Sequence, residues 1–88
     1  MTITGSVGEG GVNHKEDVIA VQKLLSAAGR YPEPADGTCD AALIQAIRDF
    51  QAGFASHPDG RVDPDGATLR RLNAAAAPAS EWSGDSAQ

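Results

Sequence analysis

The residues able to bind a metal or act as nucleophiles are few in this chain and stand apart. His14 and His57 each lack a ligand partner nearby in the sequence, and Cys39 is the single cysteine. A zinc site needs about four ligands, and a cysteine nucleophile needs a base oriented beside it. We therefore interpret both histidines as surface residues. Cys39 falls at a position that predicts burial, where cysteine behaves as a small apolar side chain.

The twelve acidic residues raise two further chemistries, calcium binding and glycoside hydrolysis. An EF-hand loop with Gly66 at position 6 would place Arg61 at position 1 and Leu72 at position 12, where oxygen ligands are essential. A glycosidase needs two carboxylates about 5 to 10 Å apart across a cleft, but most acids here stand at positions typical of helix caps and turns. We predict no metal site, no cofactor and no catalytic residue, so the protein is not expected to be an enzyme.

Composition limits the partners. The 88 residues carry a net charge of −5, which argues against nucleic acid and anionic lipid because both are bound through clustered Lys and Arg. The longest apolar runs, such as residues 74–77, are far shorter than the roughly 18 residues of a membrane span. We predict neither nucleic-acid binding nor membrane insertion. The first residues lack the basic start and apolar segment of a signal peptide, so synthesis in the cytoplasm without one is expected.

Three helices are predicted to position whatever site exists. The first spans residues 14–28, with Asn13 as N-cap, Glu16 completing a capping box and Gly29 just past its end. Gln22 is assigned to its polar face. Apolar side chains at helical spacing define its core face: Val18, Val21, Leu24, Leu25 and Ala28.

The second and third helices each follow an aspartate. Asp40 is the expected N-cap of the second helix, and Asp63 that of the third, with Pro64 at its first helical position. A weak internal similarity links the two, since Asp36-Gly and Asp59-Gly each precede an inward-facing residue and an aspartate cap. The expected core contacts of these helices are Leu43, Ile47, Phe50, Phe54, Val62, Leu69 and Leu72.

These elements predict an all-α fold, a small three-helix bundle with Asp-Gly loops. Residues 1–12 are a flexible, Gly-rich arm in which Ile3 and Val7 are the anchors. Residues 13–73 form the folded domain. Residues 74–88 are a disordered linker or tail, because Ala, Ser and Gly bury too little apolar surface to become ordered.

The order of these motifs resembles the peptidoglycan-binding domain family, a three-helix, non-catalytic cell-wall module found beside cell-wall hydrolases. The similarity covers about residues 7–73. It is carried by Val21-Gln-Lys-Leu-Leu and Ala46-Ile-Arg-Asp-Phe-Gln on either side of Asp36-Gly, followed by Asp59-Gly-Arg-Val-Asp-Pro and Thr68-Leu-Arg-Arg-Leu. The resemblance implies binding of peptidoglycan, through either its glycan or its stem peptides.

A shallow ligand surface near the first Asp-Gly loop follows from this hypothesis. Backbone amides at the Asp40 helix start suit a carboxylate, and Arg48 suits another. Asp36 and Thr38 suit amines or hydroxyls, and Tyr31 offers a flat apolar ring. The predicted ligand-binding residues are Tyr31, Asp36, Gly37, Thr38, Asp40 and Arg48.

The opening residues 6–13 also look like the start of such domains in bacterial type VI secretion effectors. That resemblance implies export without a cleaved signal, action in the periplasm or cell wall, and targeting of an attached or associated hydrolase. The alternative is a module that docks onto a protein of the secretion apparatus, through the Gly-rich arm and Trp82.

Overall fold

The computed structural model describes residues 2–31 and 34–76. The predicted three-helix fold is confirmed, with the addition of a two-stranded antiparallel sheet in which Val7 pairs with Val62 and Gly8 with Arg61. Trp82 and the rest of the predicted tail beyond residue 76 lie outside the described residues. The elements in order are β1 (Val7–Gly8), α1 (Lys15–Ala27), α2 (Ala41–Gln51), β2 (Arg61–Val62) and α3 (Ala67–Ala76).

One apolar core joins all five elements. Ile3 and Val7, the predicted anchors of the N-terminal arm, are both buried in it. The predicted domain boundaries after residues 12 and 73 stay predictions, and α3 itself continues to Ala76. The buried apolar residues are Ile3, Val7, Val18, Val21, Leu24, Leu25, Tyr31, Leu43, Ala46, Ile47, Val62, Leu69 and Leu72.

Asn13 was the wrong choice of N-cap for α1. The residue before the helix is His14, whose side chain makes no capping hydrogen bond. Asn13 has a φ of 60° and closes the preceding turn instead. Its Oδ1 accepts from the Gly8 amide at 2.7 Å, and its Nδ2 donates to the Gly8 and Gly11 carbonyls at 3.2 Å. The hydrogen-bond partners of the Asn13 side chain therefore lie in the loop before the helix, and not in its first turn.

Asp17 fastens the N-terminal segment to α1. Its carboxylate accepts from the Thr4 amide at 3.0 Å, the Thr4 hydroxyl at 2.9 Å and the Gly5 amide at 2.9 Å. The Thr4 amide is the main cause that lowers the pKa of Asp17, although burial opposes it. An acid in the first turn of α1, where the helix dipole favours negative charge, thus also binds a second segment of chain.

The two aspartate caps have different outcomes. Asp40 is the N-cap of α2, as predicted, and its Oδ1 accepts from the Leu43 amide at 3.0 Å. The prediction for α3 was wrong, because the helix begins at Ala67 and the Gly66 amide donates to the Asp63 carbonyl at 3.1 Å. The order Asp-Pro-x-Gly is also a preferred β-turn sequence, and here that preference prevails over helix initiation.

Candidate functional site

A buried glutamine on α1 holds the first Asp-Gly turn. Gln22 Nε2 donates to Asp36 Oδ1 at 3.1 Å and to the Thr38 carbonyl at 3.2 Å. Gln22 Oε1 accepts from the Gly37 amide at 2.9 Å. The Gln22 side chain is fully buried, so its assignment to the polar face was wrong. Position 22 is four residues after Val18 and three before Leu25, which is core spacing despite the polar residue type.

The second Asp-Gly turn is held in the same way by α2. Gln51 Nε2 donates to Asp59 Oδ1 at 2.8 Å and to the Arg61 carbonyl at 3.0 Å. Gln51 Oε1 accepts from the Gly60 amide at 2.8 Å. We call each set of contacts a glutamine clasp. Gly60 has a φ of 72° and Gly37 one of 82°, a left-handed conformation that glycine adopts without steric cost.

The aspartates of both clasps are stabilised in the ionised form. The Thr38 amide, followed by the Gln22 side chain, lowers the pKa of Asp36. Burial works against ionisation of Asp59, yet hydrogen bonds from the Gln51 side chain and the Arg61 amide lower its pKa. Each carboxylate therefore serves first as an acceptor that fixes its own turn.

The first turn brings part of the predicted site together. Asp36, Thr38 and Asp40 are exposed within five residues of chain, whereas Gly37 is half-buried against α1. The Asp40 carboxylate already accepts a hydrogen bond from the Leu43 amide, so this amide at the start of α2 is paired within the protein. The expectation for Tyr31 was wrong, because its side chain is 5% exposed and lies in the core.

Arg48 lies at the second turn. Its Nη2 is 3.6 Å from Glu9 Oε1, and a Cβ added to Gly60 would be 2.9 Å from Arg48 Nε. The predicted residues thus divide between two turns rather than surrounding one loop.

An open groove that the sequence did not reveal lies at the C-terminal ends of the helices. Phe50 and Phe54 pack edge to face, with ring centroids 5.7 Å apart and planes at 72°. The Arg71 guanidinium lies 4.7 Å from the centre of the Phe54 ring. Phe54 was expected in the core stripe of the second helix, but α2 ends at Gln51 and both rings are only half-buried. The groove, of about 390 Å³, is lined by Arg30, Phe50, Gly53, Phe54, Arg71, Ala74 and Ala75.

The cysteine is held in an unreactive form, and the possible metal ligands do not cluster. Burial raises the pKa of the Cys39 thiol, which packs against the core and is held in its protonated form. Within residues 2–31 and 34–76, no three His, Cys, Asp or Glu side chains converge as metal ligands would. In the same two ranges, no helix has the length and apolar character of a membrane span.

Comparison with known protein families identifies the family of this chain. The family model of the peptidoglycan binding domain matches residues 14–72, from the start of α1 into α3. The chain belongs to the peptidoglycan binding domain family. The match includes both glutamine clasps, the first two helices and the first part of α3, and it indicates peptidoglycan as the ligand in a cell-wall context. No curated protein and no solved structure matches the chain significantly.

Proposed function

We propose that this protein is a non-catalytic module that binds bacterial peptidoglycan and thereby targets an attached or associated cell-wall hydrolase to its substrate. The family match across the whole clasped scaffold carries the proposal. Physical support comes from the surface itself, which offers exposed polar groups and an open groove suited to a long polymer. Affinity at one site is expected to be weak, and attachment to an enzyme raises its local concentration at the wall.

The proposed ligand surface includes the exposed edge of the first turn. Asp36 and Asp40 supply negative charge, and Thr38 and Gly37 add hydroxyl and backbone groups beside them. Amines and hydroxyls of the stem peptide and glycan are the complementary groups. Arg48, at the neighbouring turn, is the proposed partner of a carboxylate. Tyr31 is left out because its ring is in the core.

Sedimentation with insoluble sacculi tests this surface. Asp40→Asn keeps an oxygen that can cap α2 but removes the charge, and Arg48→Gln removes the cation. We expect each variant to bind about tenfold less tightly than wild type, as is typical for loss of one charged hydrogen bond. Asp49→Asn is the matched control, since Asp49 is an exposed acid of the same helix outside the proposed surface.

Three results would contradict parts of the proposal. Wild-type protein that stays in the supernatant at both low and moderate salt argues against peptidoglycan binding. Release of soluble wall fragments indicates a hydrolase. Unchanged binding of both variants removes Asp40 and Arg48 from the ligand surface.

We further propose that the module belongs to a type VI secretion effector and acts in the periplasm or cell wall after export. The likeness of residues 6–13 to such effectors supports this, and these residues precede the family match. The alternative, docking onto a secretion-apparatus protein, relied on the Gly-rich arm and Trp82. The arm buries Ile3 and Val7 in the core, and Trp82 lies outside the described residues, so the peptidoglycan proposal has the stronger support.

A further inference from the structure

The aromatic groove, defined by Phe50, Phe54, Arg30 and Arg71, is separate from the proposed turn surface. Gly37 of the first turn packs near Lys15, at the beginning of α1, whereas Arg30 follows the end of that helix. A helix of 13 residues is about 20 Å long. The first turn packs along α1 between Lys15 and Gln22, whereas the groove lies past the C-terminal end of that helix. The two surfaces use different residues and can contact different parts of one polymer.

Two exposed cations, Arg30 and Arg71, lie beside the groove. Arg48 and Arg61 each lie within 4 Å of a carboxylate, those of Glu9 and Asp63. In the described part of the chain, Arg30 and Arg71 form no such ion pair, and both are exposed. Two cations without acidic partners beside one groove are complementary to an anionic ligand.

The groove also fixes the orientation of one of these cations. Arg71 stacks on Phe54, and Phe54 is itself packed edge to face on Phe50. A stacked guanidinium keeps its N–H groups free for bidentate bonding to a planar carboxylate. Ala74 and Ala75 supply a small apolar wall beside it. The combination suits a carboxylate that carries small apolar side chains.

We infer that the aromatic groove binds the carboxylate of the peptidoglycan stem peptide. The inference rests on the proposed function, because it assigns the part of the polymer that this module recognises. Arg71, positioned by Phe54, pairs with the carboxylate, Arg30 adds the second charge, and the two rings contact the alanine methyl groups of the peptide.

Soluble fragments of the wall separate stem-peptide from glycan recognition. The probes are the disaccharide-tetrapeptide released from murein, the same compound with its carboxylates converted to amides, and the disaccharide freed of its peptide. We expect wild-type protein to bind the first at least about tenfold more tightly than the other two, the usual effect of a charge-assisted hydrogen bond. Equal binding of the peptide-free disaccharide would overturn the inference in favour of the glycan.

Two groove variants and one matched control complete the test. Arg71→Gln removes the cation, and Gly53→Leu fills the groove without changing charge, since a Cβ at Gly53 would meet only the Phe50 carbonyl, at 3.5 Å. Each is expected to weaken binding of the disaccharide-tetrapeptide about tenfold or more. Arg70→Gln alters the neighbouring exposed arginine outside the groove and is expected to change binding less than about twofold.

The outcomes on sacculi separate the two proposals. Retention of wild type together with unchanged binding by Arg71→Gln and Gly53→Leu overturns the groove assignment and leaves peptidoglycan binding intact. Failure of wild type to bind sacculi overturns the proposed function, and the inference with it. Circular dichroism of each variant establishes that the helices are retained.

Discussion

At the scale of single residues, the two glutamines contribute most to the shape of the binding surface. Each supplies one carbonyl and one amino group to a turn whose main-chain atoms have few other partners. Neither side chain is more than 3% exposed. Loss of either would leave a buried amide and a carbonyl without a hydrogen bond, which costs more than the bond itself contributes.

We predict that Gln22→Ala and Gln51→Ala each lower the free energy of unfolding by about 2 to 4 kcal/mol, from lost hydrogen bonds and a cavity. Urea denaturation followed by circular dichroism measures this. Gln45→Ala is the control, because Gln45 is exposed on α2 and its side chain donates to the exposed Asp49, so we expect a loss below about 0.5 kcal/mol. Losses as small as this control's at positions 22 and 51 would show that the clasps do not stabilise the fold.

The burial of Gln22 was not predicted, because a polar residue type was taken to indicate a solvent-facing position whatever its spacing. The spacing from Val18 to Leu25 already placed residue 22 on the core face. Only the partner, a turn 14 residues later, makes burial of an amide favourable. The aromatic groove was missed for a related reason, since spacing assigns Phe50 and Phe54 to the core without showing how much of each ring remains exposed.

At the scale of elements, helix number, order and core faces could be predicted because 3.6-residue periodicity is a local property. The helix starts were harder. Asp40 caps α2 through a contact three residues away, and it was predicted correctly. Asn13 and Asp63 carry equally good local signals, but a neighbouring turn uses their polar groups instead. Strand pairing of β1 with β2 joins residues 7 and 62, and two-residue strands have no period to detect.

The β1–β2 contact leaves no room for a side chain at Gly8. Its φ is 116°, and an added Cβ would collide with the Gly60 carbonyl. We predict that Gly8→Ala lowers the free energy of unfolding by at least about 2 kcal/mol, from backbone strain and overpacking. Gly10→Ala, at a φ of 71° with open space around it, should cost only about 1 kcal/mol. Equal losses in thermal unfolding would contradict a close approach at Gly8.

At the scale of the whole molecule, ionised aspartates connect segments that are distant in sequence. Asp17 accepts hydrogen bonds from the N-terminal segment, while Asp36 and Asp59 accept from Gln22 and Gln51 as well as from amides of their own turns. All three have a pKa below the ordinary value of 3.8. Since the unfolded chain takes up protons first, their contribution is complete above that value and is lost as the pH falls through the lower, folded pKa values.

We therefore predict that the free energy of unfolding is steady near neutral pH and declines below about pH 4. Asp17→Asn should be less stable at neutral pH and should lose less on acidification, because the ionised acceptor is already gone. Urea midpoints measured across this pH range provide the check. A decline as steep in Asp17→Asn as in wild type would show that Asp17 does not contribute to it.

The chain segments between glutamine and aspartate differ in length in the two clasps. Gln22 reaches an aspartate 14 positions ahead, whereas Gln51 reaches one only 8 positions ahead. Both glutamines nevertheless make the same three bonds to their turns, to the aspartate, to the glycine amide and to the carbonyl two residues after the aspartate. The clasp thus fixes the position of the turn against the helix, whereas the length of the segment that connects them can vary. Lengthening a connection costs little entropy once its ends are fixed. The exposed Pro34, in the longer connection, is accordingly a natural point of insertion, where evolution or an engineer can graft a new recognition loop onto an unaltered scaffold.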